Sequence, residues 1–402
     1  MKSIKVAVTG LGVVSPIGIG KDVFWNNLIA AKSGISEITA FDTSNYNRHF
    51  GGQVHDFTTS QFIPGKVAKL IGRASQFALV ATQLALADAA VAIDSLCDRR
   101  VAVIIGATIP EGNVVDQTTL AMFRKEDERF SDRIISSVFA PSIARNIGSV
   151  LKINGANMLT PCACAAGNYA IGYGYDLIKN GEVDLAIVGG TEAFSRIAFQ
   201  GFQRLHAMAE NKVMPFDQNR KGMLLGEGAG ILILEPFNEA AKRKANIYSE
   251  ILGYGLSCDA SHITIPKKDG IKKAMAKALR NSNVSSDKID YICAHGTGTP
   301  ANDKAESIAI NEVFSSRRVP VSSIKSMIGH CMGAASSIEA ITCCLALQNG
   351  VVPPTINFNT SDPECDIDCV PNEARKQNIK IALNNGFAFG GNNCCVSFKR
   401  NN

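Results

Sequence analysis

The feature that most constrains the fold is an alternation of short apolar runs with helical segments, which the chain passes through twice. Apolar runs of about four to eight residues are typical of strands buried on both faces, with helices covering the sheet. The helical segments include residues 66–86 and 270–281. In the first half, the predicted strands are Lys5 to Val14, Val101 to Gly106, Ala156 to Thr160, Asp184 to Gly190 and Ala229 to Leu234. In the second half, they are Ser249 to Leu256, Ile289 to Ala294, Val319 to Ile324, Lys380 to Asn384 and Cys394 to Phe398. The pattern predicts an α/β fold built from two similar halves.

The joint between the halves is predicted at Pro236 and the polar, lysine-rich stretch Asn238 to Lys244. This divides the chain into residues 1–240 and 241–402, with the first half carrying Cys164 and the second carrying two histidines and a lysine. Cys164 and Lys325 fall at comparable points of the two halves. A pseudo-twofold axis between the halves would therefore bring these two residues face to face.

Cys164 follows the short run Ala156 to Thr160 and precedes a helix of small residues, so it is a candidate nucleophile. Unpaired N–H groups and the positive dipole end at a helix N-terminus stabilise a thiolate, which predicts a lowered pKa for this thiol. The alternative is a buried structural cysteine, which is the commoner role for a cysteine. Cys162 is expected to point to the other side of the chain and to pack.

Two of the six histidines, His295 and His330, lie in glycine-bounded turns that follow apolar runs and open onto helical patterns. Lys325 lies in the same turn as His330. Such strand–turn–helix junctions are where open α/β sheets place their chemistry. A lone histidine in a turn is usually structural, but two histidines and a lysine at such junctions favour a site shared with Cys164.

The segment Asn385 to Asn393 places consecutive glycines after Phe389, just before the last predicted strand. Glycines let the backbone approach a ligand closely, so the N–H of Phe389 is predicted to form an oxyanion hole with the N–H of Cys164. The alternative is a hairpin turn with two core phenylalanines.

Composition excludes several classes of function. Of 402 residues, 19% are charged and 46% apolar, no apolar run has membrane-spanning length, and the start does not resemble a signal peptide. The twelve scattered cysteines are expected to be reduced thiols of a cytoplasmic protein, and none has the Cys-x-x-Cys spacing of a zinc site, so no metal is predicted. The net charge of +5 without a polybasic run argues against nucleic acid.

A basic surface is expected around Lys66, Lys69 and Arg73 on the predicted helix 66–86, and it would suit an acidic partner. A solvated helix face is the alternative. Four further basic residues would extend this surface: Arg204, Lys212, Arg220 and Lys221.

Taken together, these segments make the chain resemble the elongating, two-histidine β-ketoacyl-acyl carrier protein synthases. The motifs that carry the resemblance are Val6 to Pro16, Leu159 to Gly172, Pro215 to Gly230, His295 to Pro300, Lys325 to Ala334, Val352 to Asn357 and Asn385 to Asn393. The resemblance implies a thiolase-like fold, with two βαβαβαββ halves stacked as α-β-α-β-α layers. It also implies a decarboxylative condensation without metal or redox cofactor, on substrates carried by the phosphopantetheine of an acyl carrier protein.

The resemblance also implies roles for individual residues. Cys164 corresponds to the acyl-accepting nucleophile, His295 and His330 to the groups that act on the malonyl unit, and Phe389 to a gate. Lys325 and Glu306 correspond to a supporting network. Thr297 and Thr299 match positions that line the phosphopantetheine channel, and Ile109 and Phe202 match acyl-pocket positions.

Some residues depart from the fatty acid pattern, namely Cys162, the Ile109-Pro-Glu segment, Asn302 and Asn392. At these positions the chain resembles synthases that are dedicated to a specialised acyl or polyene product. The chain is therefore expected to form a homodimer, or a heterodimer with a cysteine-less chain-length factor. The main alternative is thus the catalytic subunit of a type II polyketide system; a thiolase, a coenzyme A-using initiating synthase or a non-catalytic partner fits less well.

Overall fold

A computed structural model describes residues 4–125 and 142–401 of the chain. Its main sheet is mixed, and the strands Val6–Ser15, Val101–Gly106 and Leu185–Glu192 are buried along their whole length. The strands of the described residues are β1 (Val6–Ser15), β2 (Gly18–Ile19), β3 (Ser36–Glu37), β4 (Phe50–Gly51), β5 (Val101–Gly106), β6 (Asn157–Thr160), β7 (Leu185–Glu192), β8 (Gly228–Pro236), β9 (Ser249–Cys258), β10 (Tyr291–Cys293), β11 (Val321–Ser322), β12 (Val351–Val352), β13 (Arg375–Lys376), β14 (Ile381–Phe387) and β15 (Asn392–Arg400).

The helices of the described residues are α1 (Lys21–Ile29), α2 (Gly65–Ala68), α3 (Arg73–Asp88), α4 (Gly112–Arg124), α5 (Ser142–Leu151), α6 (Ala166–Lys179), α7 (Arg196–Arg204), α8 (Phe237–Lys242), α9 (Lys268–Asn281), α10 (Pro300–Val313), α11 (Lys325–Ile328) and α12 (Ala335–Asn349). None of them is long and apolar enough to cross a membrane.

The sheet has the same strand order in both halves, read outward from its centre. The full order is β11-β10-β14-β15-β9-β1-β8-β7-β5-β6. If only the strands in this order are numbered within each half, both sides run outward from the central pair β1 and β9 as first, fifth, fourth, second and third strand. The two halves meet through the antiparallel pairing of Val6–Val8 with Ser249–Ile251. The repeated order confirms the prediction of an α/β fold with two similar halves.

The helices form three layers around these two half-sheets. α3 and α5 pack on the outer side of the first half, and α9 and α10 pack on the outer side of the second. Between the halves lie α6 and α12, which contact each other and strands of both halves. This is the α-β-α-β-α layering that the resemblance to the β-ketoacyl synthases implies. It also buries almost every residue of α12.

Small residues permit this tight layering. A Cβ added to Gly12 of β1 would lie 1.8 Å from the carbonyl oxygen of Ala81 in α3, so only glycine fits there. In the same way, a Cβ on Gly167 of α6 would lie 2.7 Å from the backbone nitrogen of Ser337 in α12. The first turns of the two central helices are therefore packed backbone to backbone, next to the site described below.

The joint between β8 and β9 contains the short helix α8, which begins directly after Pro236. Proline fixes φ and lacks an N–H, so it fits immediately before a first helical turn.

Candidate active site

Cys164 lies in a single 3₁₀ turn, Ala163–Ala165, between the end of β6 and the start of α6. Its neighbour Ala163 has φ 45°, in the left-handed region that a non-glycine residue adopts at a cost of about 1–3 kcal/mol. The side chain of Cys164 is buried, with 5% of its surface exposed. The chain is thus bent sharply to place this sulfur between the two half-sheets.

Opposing effects act on the pKa of the Cys164 thiol. Burial raises the pKa of the thiol to about 11, while the charge of Lys325 and the N–H groups of Phe389 and Cys164 itself lower it. The expected lowering by the helix end is therefore wrong for the net pKa, because desolvation in the closed pocket outweighs it. Two backbone donors, the N–H groups of Phe389 and of Cys164 itself, thus lie next to the sulfur.

His295 and His330 reach the same point from two different turns. His295 follows β10, and His330 lies in the turn between α11 and α12. Their ring centroids are 5.3 Å apart, and one ring nitrogen of each lies within 4.8 Å of the other and of the Cys164 sulfur. The pKa of each histidine is well below its usual value because of burial first and of the Lys325 charge second. Both rings are therefore neutral at physiological pH.

Hydrogen bonds select the tautomer of these rings. The N–H of Met332 donates to Nδ1 of His330 at 3.2 Å, so the ring proton of His330 must be on Nε2. Nε2 of His330 is buried and has no hydrogen-bond partner among the described residues. Nδ1 of His295 lies 3.4 Å from the ammonium of Lys325, which favours the same tautomer. The site thus holds neutral imidazoles whose Nε2–H is available to an incoming oxygen.

Lys325 pairs with Glu339, a residue that the sequence analysis did not single out. The ammonium of Lys325 donates to Oε1 of Glu339, and both side chains are 1% exposed. Burial raises the pKa of Glu339 to about 7, while Lys325 lowers it. The signal that could have found this residue is a lone carboxylate in the otherwise apolar and small helix α12.

Glu306 organises the turn that carries His295. Its carboxylate accepts hydrogen bonds from the N–H of His295 at 2.9 Å and of Gly296 at 2.7 Å. The side-chain amide of Asn385 also donates to it at 3.2 Å. Glu306 therefore does not contact the reacting groups but fixes the backbone from which the His295 ring projects.

A second carboxylate that sequence reasoning missed is Glu192, at the end of β7. It accepts hydrogen bonds from the N–H groups of Thr108 at 2.7 Å, Ile109 at 3.1 Å and Gly333 at 3.0 Å. Burial raises its pKa to about 7. Glu192 links the segment after β5 to the turn after His330, which connects the acyl-pocket position Ile109 to the histidine turn.

A cleft of about 470 Å³ opens next to Cys164, His295 and His330. Thr297 and Thr299 line it, and their hydroxyls are 2.9 Å apart. Phe389 and Phe202 also line it, with ring centroids 5.6 Å apart. The loop of Phe389 is held by a hydrogen bond from the N–H of Gly390 to the carbonyl oxygen of Ile263 at 2.7 Å.

Ile109 and Phe202, the two acyl-pocket candidates, pack in one apolar cluster. The buried members of this cluster are Ile38, Phe194, Ala198, Phe199, Met208, Leu225 and Met332. Phe202 borders both this cluster and the cleft, whereas Ile109 lies only in the cluster. The structure thus places the two candidates on one side of the site.

The predicted helix 66–86 is two helices, α2 and α3, separated at residues 69–72. Gly72, the last residue of this break, is extended, and a Cβ there would lie 1.9 Å from the Glu111 carboxylate. Lys66 and Lys69 are exposed. Arg73, in contrast, pairs with the fully buried Glu227 at 2.8 Å, and its guanidinium lies over the Phe77 ring. The guanidinium of Arg73 is therefore held by Glu227, so it is less free than the ammonium groups of Lys66 and Lys69 to contact a partner.

Comparison with known proteins agrees with this geometry. Residues 4–240 match the N-terminal domain of the beta-ketoacyl synthases, and residues 248–359 match their C-terminal domain. The chain is 40% identical to a 3-oxoacyl-[acyl-carrier-protein] synthase 2 of Synechocystis sp., over 98% of each chain. It is similar in structure to the ishigamide ketosynthase/chain length factor, with TM-score 0.96, 40% identity and full coverage of both chains. It is also similar to one chain of a solved complex, described as a type II PKS acyl-carrier protein in complex with its ketosynthase bound to the hexaketide. The TM-score is 0.89 and the identity 30%, with full coverage of both chains.

Proposed function

Because the chain belongs to the β-ketoacyl synthase family, we propose that it condenses malonyl-acyl carrier protein with an acyl group held on Cys164. The reaction releases CO₂ and lengthens the acyl chain by two carbons. The observation that carries the proposal is the meeting of the Cys164 sulfur with two imidazoles, one of which has a buried Nε2 without a partner among the described residues.

In the first half-reaction, Cys164 takes the acyl group from its carrier. The sulfur forms a bond to the thioester carbon, and the bond to the phosphopantetheine sulfur breaks. The proton of the Cys164 thiol ends on that departing sulfur. The N–H groups of Cys164 and Phe389 stabilise the tetrahedral oxyanion between these two steps.

In the second half-reaction, the malonyl group loses CO₂. The carbon–carbon bond breaks, and its electron pair forms an enolate on the thioester. The Nε2–H groups of His295 and His330 donate to the enolate oxygen. The enolate carbon then bonds to the acyl carbon on Cys164, whose sulfur leaves and regains a proton.

Lys325 acts in this scheme as a positioning residue. Burial first, and the charge of Lys325 second, lower the pKa of both histidines, which keeps them neutral donors. Glu306 holds the His295 turn through two backbone N–H groups.

The phosphopantetheine arm of the carrier is proposed to pass Thr297 and Thr299, which line the cleft, with Phe389 as the gate. The exposed Lys66 and Lys69 are proposed to contact the acidic carrier protein. The protein is proposed to act as a dimer in the cytoplasm. All twelve of its cysteines are free thiols, which suits a reducing compartment.

A second candidate function is the ketosynthase subunit of a type II polyketide or polyene system, paired with a chain-length factor. The observation that favours it is the similarity to the ishigamide ketosynthase/chain length factor. This similarity has the same identity, 40%, as the one to the 3-oxoacyl synthase 2 of Synechocystis. An assay with carrier proteins bearing acyl groups of graded length, with and without a chain-length factor, separates the two functions.

The test of the main proposal follows both half-reactions by mass spectrometry of intact protein and carrier. Cys164→Ala should abolish acyl loading, whereas His330→Ala should load normally but lose malonyl decarboxylation. Cys162→Ala, at the half-buried neighbouring thiol, is the matched control and should keep both. Acyl loading that persists in Cys164→Ala, or equal loss of both steps in His330→Ala, would contradict these roles.

A further inference from the structure

Glu192 joins two segments that serve different substrates in the proposed reaction. Its side chain is fully buried, and its carboxylate accepts three backbone N–H groups. Two of them, from Thr108 and Ile109, belong to the segment after β5, on the side of the site where the acyl-pocket candidates lie. The third, from Gly333, belongs to the turn that carries His330. One side chain therefore fixes the position of the acyl segment relative to the histidine turn.

The same two segments also pack backbone to backbone. A Cβ added to Gly333 would lie 2.5 Å from Cα of Ala107 and 2.6 Å from the backbone nitrogen of Thr108. No side chain therefore fits between them at this point. Interiors packed this closely transmit a displacement instead of absorbing it. A shift of residues 107–109 is therefore expected to move the turn at Gly333.

Met332 extends the connection to the ring of His330. The N–H of Met332 donates to Nδ1 of His330 at 3.2 Å, and its backbone has φ 42°, in the left-handed region. The side chain of Met332 is 1% exposed and lies in the apolar cluster against which Ile109 and Phe202 pack. Met332 thus contacts the acyl side through its side chain and orients a reacting ring through its N–H.

Glu306 has no comparable connection to the acyl side. Its carboxylate is also fully buried and fixes the turn that carries His295. Its hydrogen-bond partners among the described residues are His295, Gly296, Asn302 and Asn385. None of these belongs to the apolar cluster of Ile109 and Phe202. The two buried carboxylates therefore differ in what they join.

We propose that Glu192 is a positioning residue through which the acyl group on Cys164 sets the orientation of His330. An acyl group that presses on Ile109 shifts the segment after β5. Glu192 carries this shift to Gly333 and so to the N–H that orients the imidazole. The enzyme then discriminates between acyl groups in the malonyl step as well as in loading. This inference rests on the proposed function, because it uses the roles given there to Cys164 and His330.

The test measures the second half-reaction by itself. Cys164 is first loaded with acyl groups of graded length, malonyl-carrier is then added for a single turnover, and CO₂ release is followed. In the wild type, this rate should differ between acyl groups. Glu192→Gln has one acceptor oxygen instead of two, so in either orientation of the amide one end of the connection loses its hydrogen bond. The ratio between the fastest and the slowest acyl group should then shrink by about two- to tenfold, the factor that loss of one hydrogen bond typically gives.

Loading is measured separately and should not slow in this variant. Burial is the main cause of the raised pKa of the Cys164 thiol, and the charge of Glu192 adds to it, so removing that charge does not disfavour the thiolate. Glu306→Gln is the matched control, because it loosens only the turn of His295. It should slow the second step by a similar factor for every acyl group and leave the ratio unchanged. Met332→Ala keeps every backbone N–H and should also shrink the ratio, so it serves if Glu192→Gln does not fold.

Nitrogen NMR of protein labelled in its six histidines gives a readout that a merely structural role would not move. The variant His330→Ala identifies the signals of His330. Loading a long acyl group should shift the Nδ1 signal of His330 in the wild type and leave it in place in Glu192→Gln. An equal loss of rate for all acyl groups in Glu192→Gln, or an unmoved Nδ1 signal in the loaded wild type, would overturn this proposal alone. A wild type that loads no acyl group, or releases no CO₂ from malonyl-carrier, would contradict the proposed function itself.

Discussion

Replacing Lys325 with methionine tests how much the buried ion pair between Lys325 and Glu339 contributes to stability. In the wild type, the ammonium of Lys325 contacts Glu339 and lies 3.4 Å from Nδ1 of His295. Both members of the pair are 1% exposed, so neither is stabilised by solvent. Methionine preserves most of the side-chain volume while leaving the Glu339 carboxyl without its cation.

Breaking a buried pair by removing one partner typically costs about 3–5 kcal/mol, because the remaining charge is buried and uncompensated. Burial already raises the pKa of Glu339 to about 7, and loss of Lys325 removes the cause that lowers it. The folded variant therefore holds a proton on Glu339 at pH values where the unfolded chain does not. The stability of Lys325→Met should consequently fall as pH rises, with the full loss reached above that raised pKa and a smaller loss near pH 6.

The measurement is urea unfolding of the wild type and of Lys325→Met at about pH 6 and about pH 8.5. The matched control is the double variant Lys325→Met/Glu339→Gln, in which no charge is left, and it should recover most of the stability at the higher pH. A loss for Lys325→Met that is the same at both pH values, or no recovery in the double variant, would refute the argument that the stranded carboxylate causes the instability.

The remaining predictions concern the histidines, Gly167, Glu306 and the basic residues. Burial first, and the Lys325 charge second, lower the pKa of His295, so Lys325→Met should move the acidic limb of the pH–rate profile to higher pH, and an unmoved limb would contradict this role of Lys325. Gly167→Ala should destabilise the protein by about 1–3 kcal/mol in urea unfolding and slow acyl loading, since the new Cβ would lie 2.7 Å from the backbone of Ser337. Glu306→Gln has one acceptor oxygen instead of two for the N–H groups of His295 and Gly296, and should lower kcat with little change in KM for the carrier substrates. Lys66→Glu/Lys69→Glu should weaken carrier binding at low salt without changing stability. Arg73→Ala should instead cost about 3–5 kcal/mol of stability because it leaves Glu227 buried without its cation. The opposite pattern in paired binding and unfolding measurements would contradict the assignment of carrier contact to the two lysines and of a structural role to Arg73.

The alternation of apolar runs predicted the sheet well because burial on both faces leaves a continuous signal in the sequence. β5 begins and ends at the predicted residues, and the strands before His295 and before Cys164 lie within two residues of their predicted bounds. The repeat of the pattern also predicted two similar halves, which the mirrored strand order confirms. Periodicity failed at residues 69–72, where the helix breaks and Gly72 is extended beside the Glu111 side chain, a contact with a residue almost 40 positions further along the chain.

Other features of the site depend on contacts between distant segments and could not be read locally. The raised pKa of Cys164 results from how completely the second half covers the sulfur, whereas sequence shows only the helix end that lowers it. Glu192 acts on Gly333, 141 positions away, and leaves no periodic signal. Glu339 lies 14 residues from Lys325, and the two side chains come into contact only when the turn at His330 has folded.

The raised pKa of the Cys164 thiol and the lowered pKa of both histidines have one consequence in common. In the free protein, Cys164, His295 and His330 are all neutral at physiological pH, and in the proposed reaction charge develops beside them only when an oxyanion or enolate forms. A donor without a hydrogen-bond partner among the described residues, such as Nε2–H of His330, interacts most strongly with that developing charge. Burial thus has two effects. It disfavours the thiolate in the free protein, and it strengthens the interaction of each N–H group with the charge of the transition state, since fixed dipoles act more strongly where water is excluded.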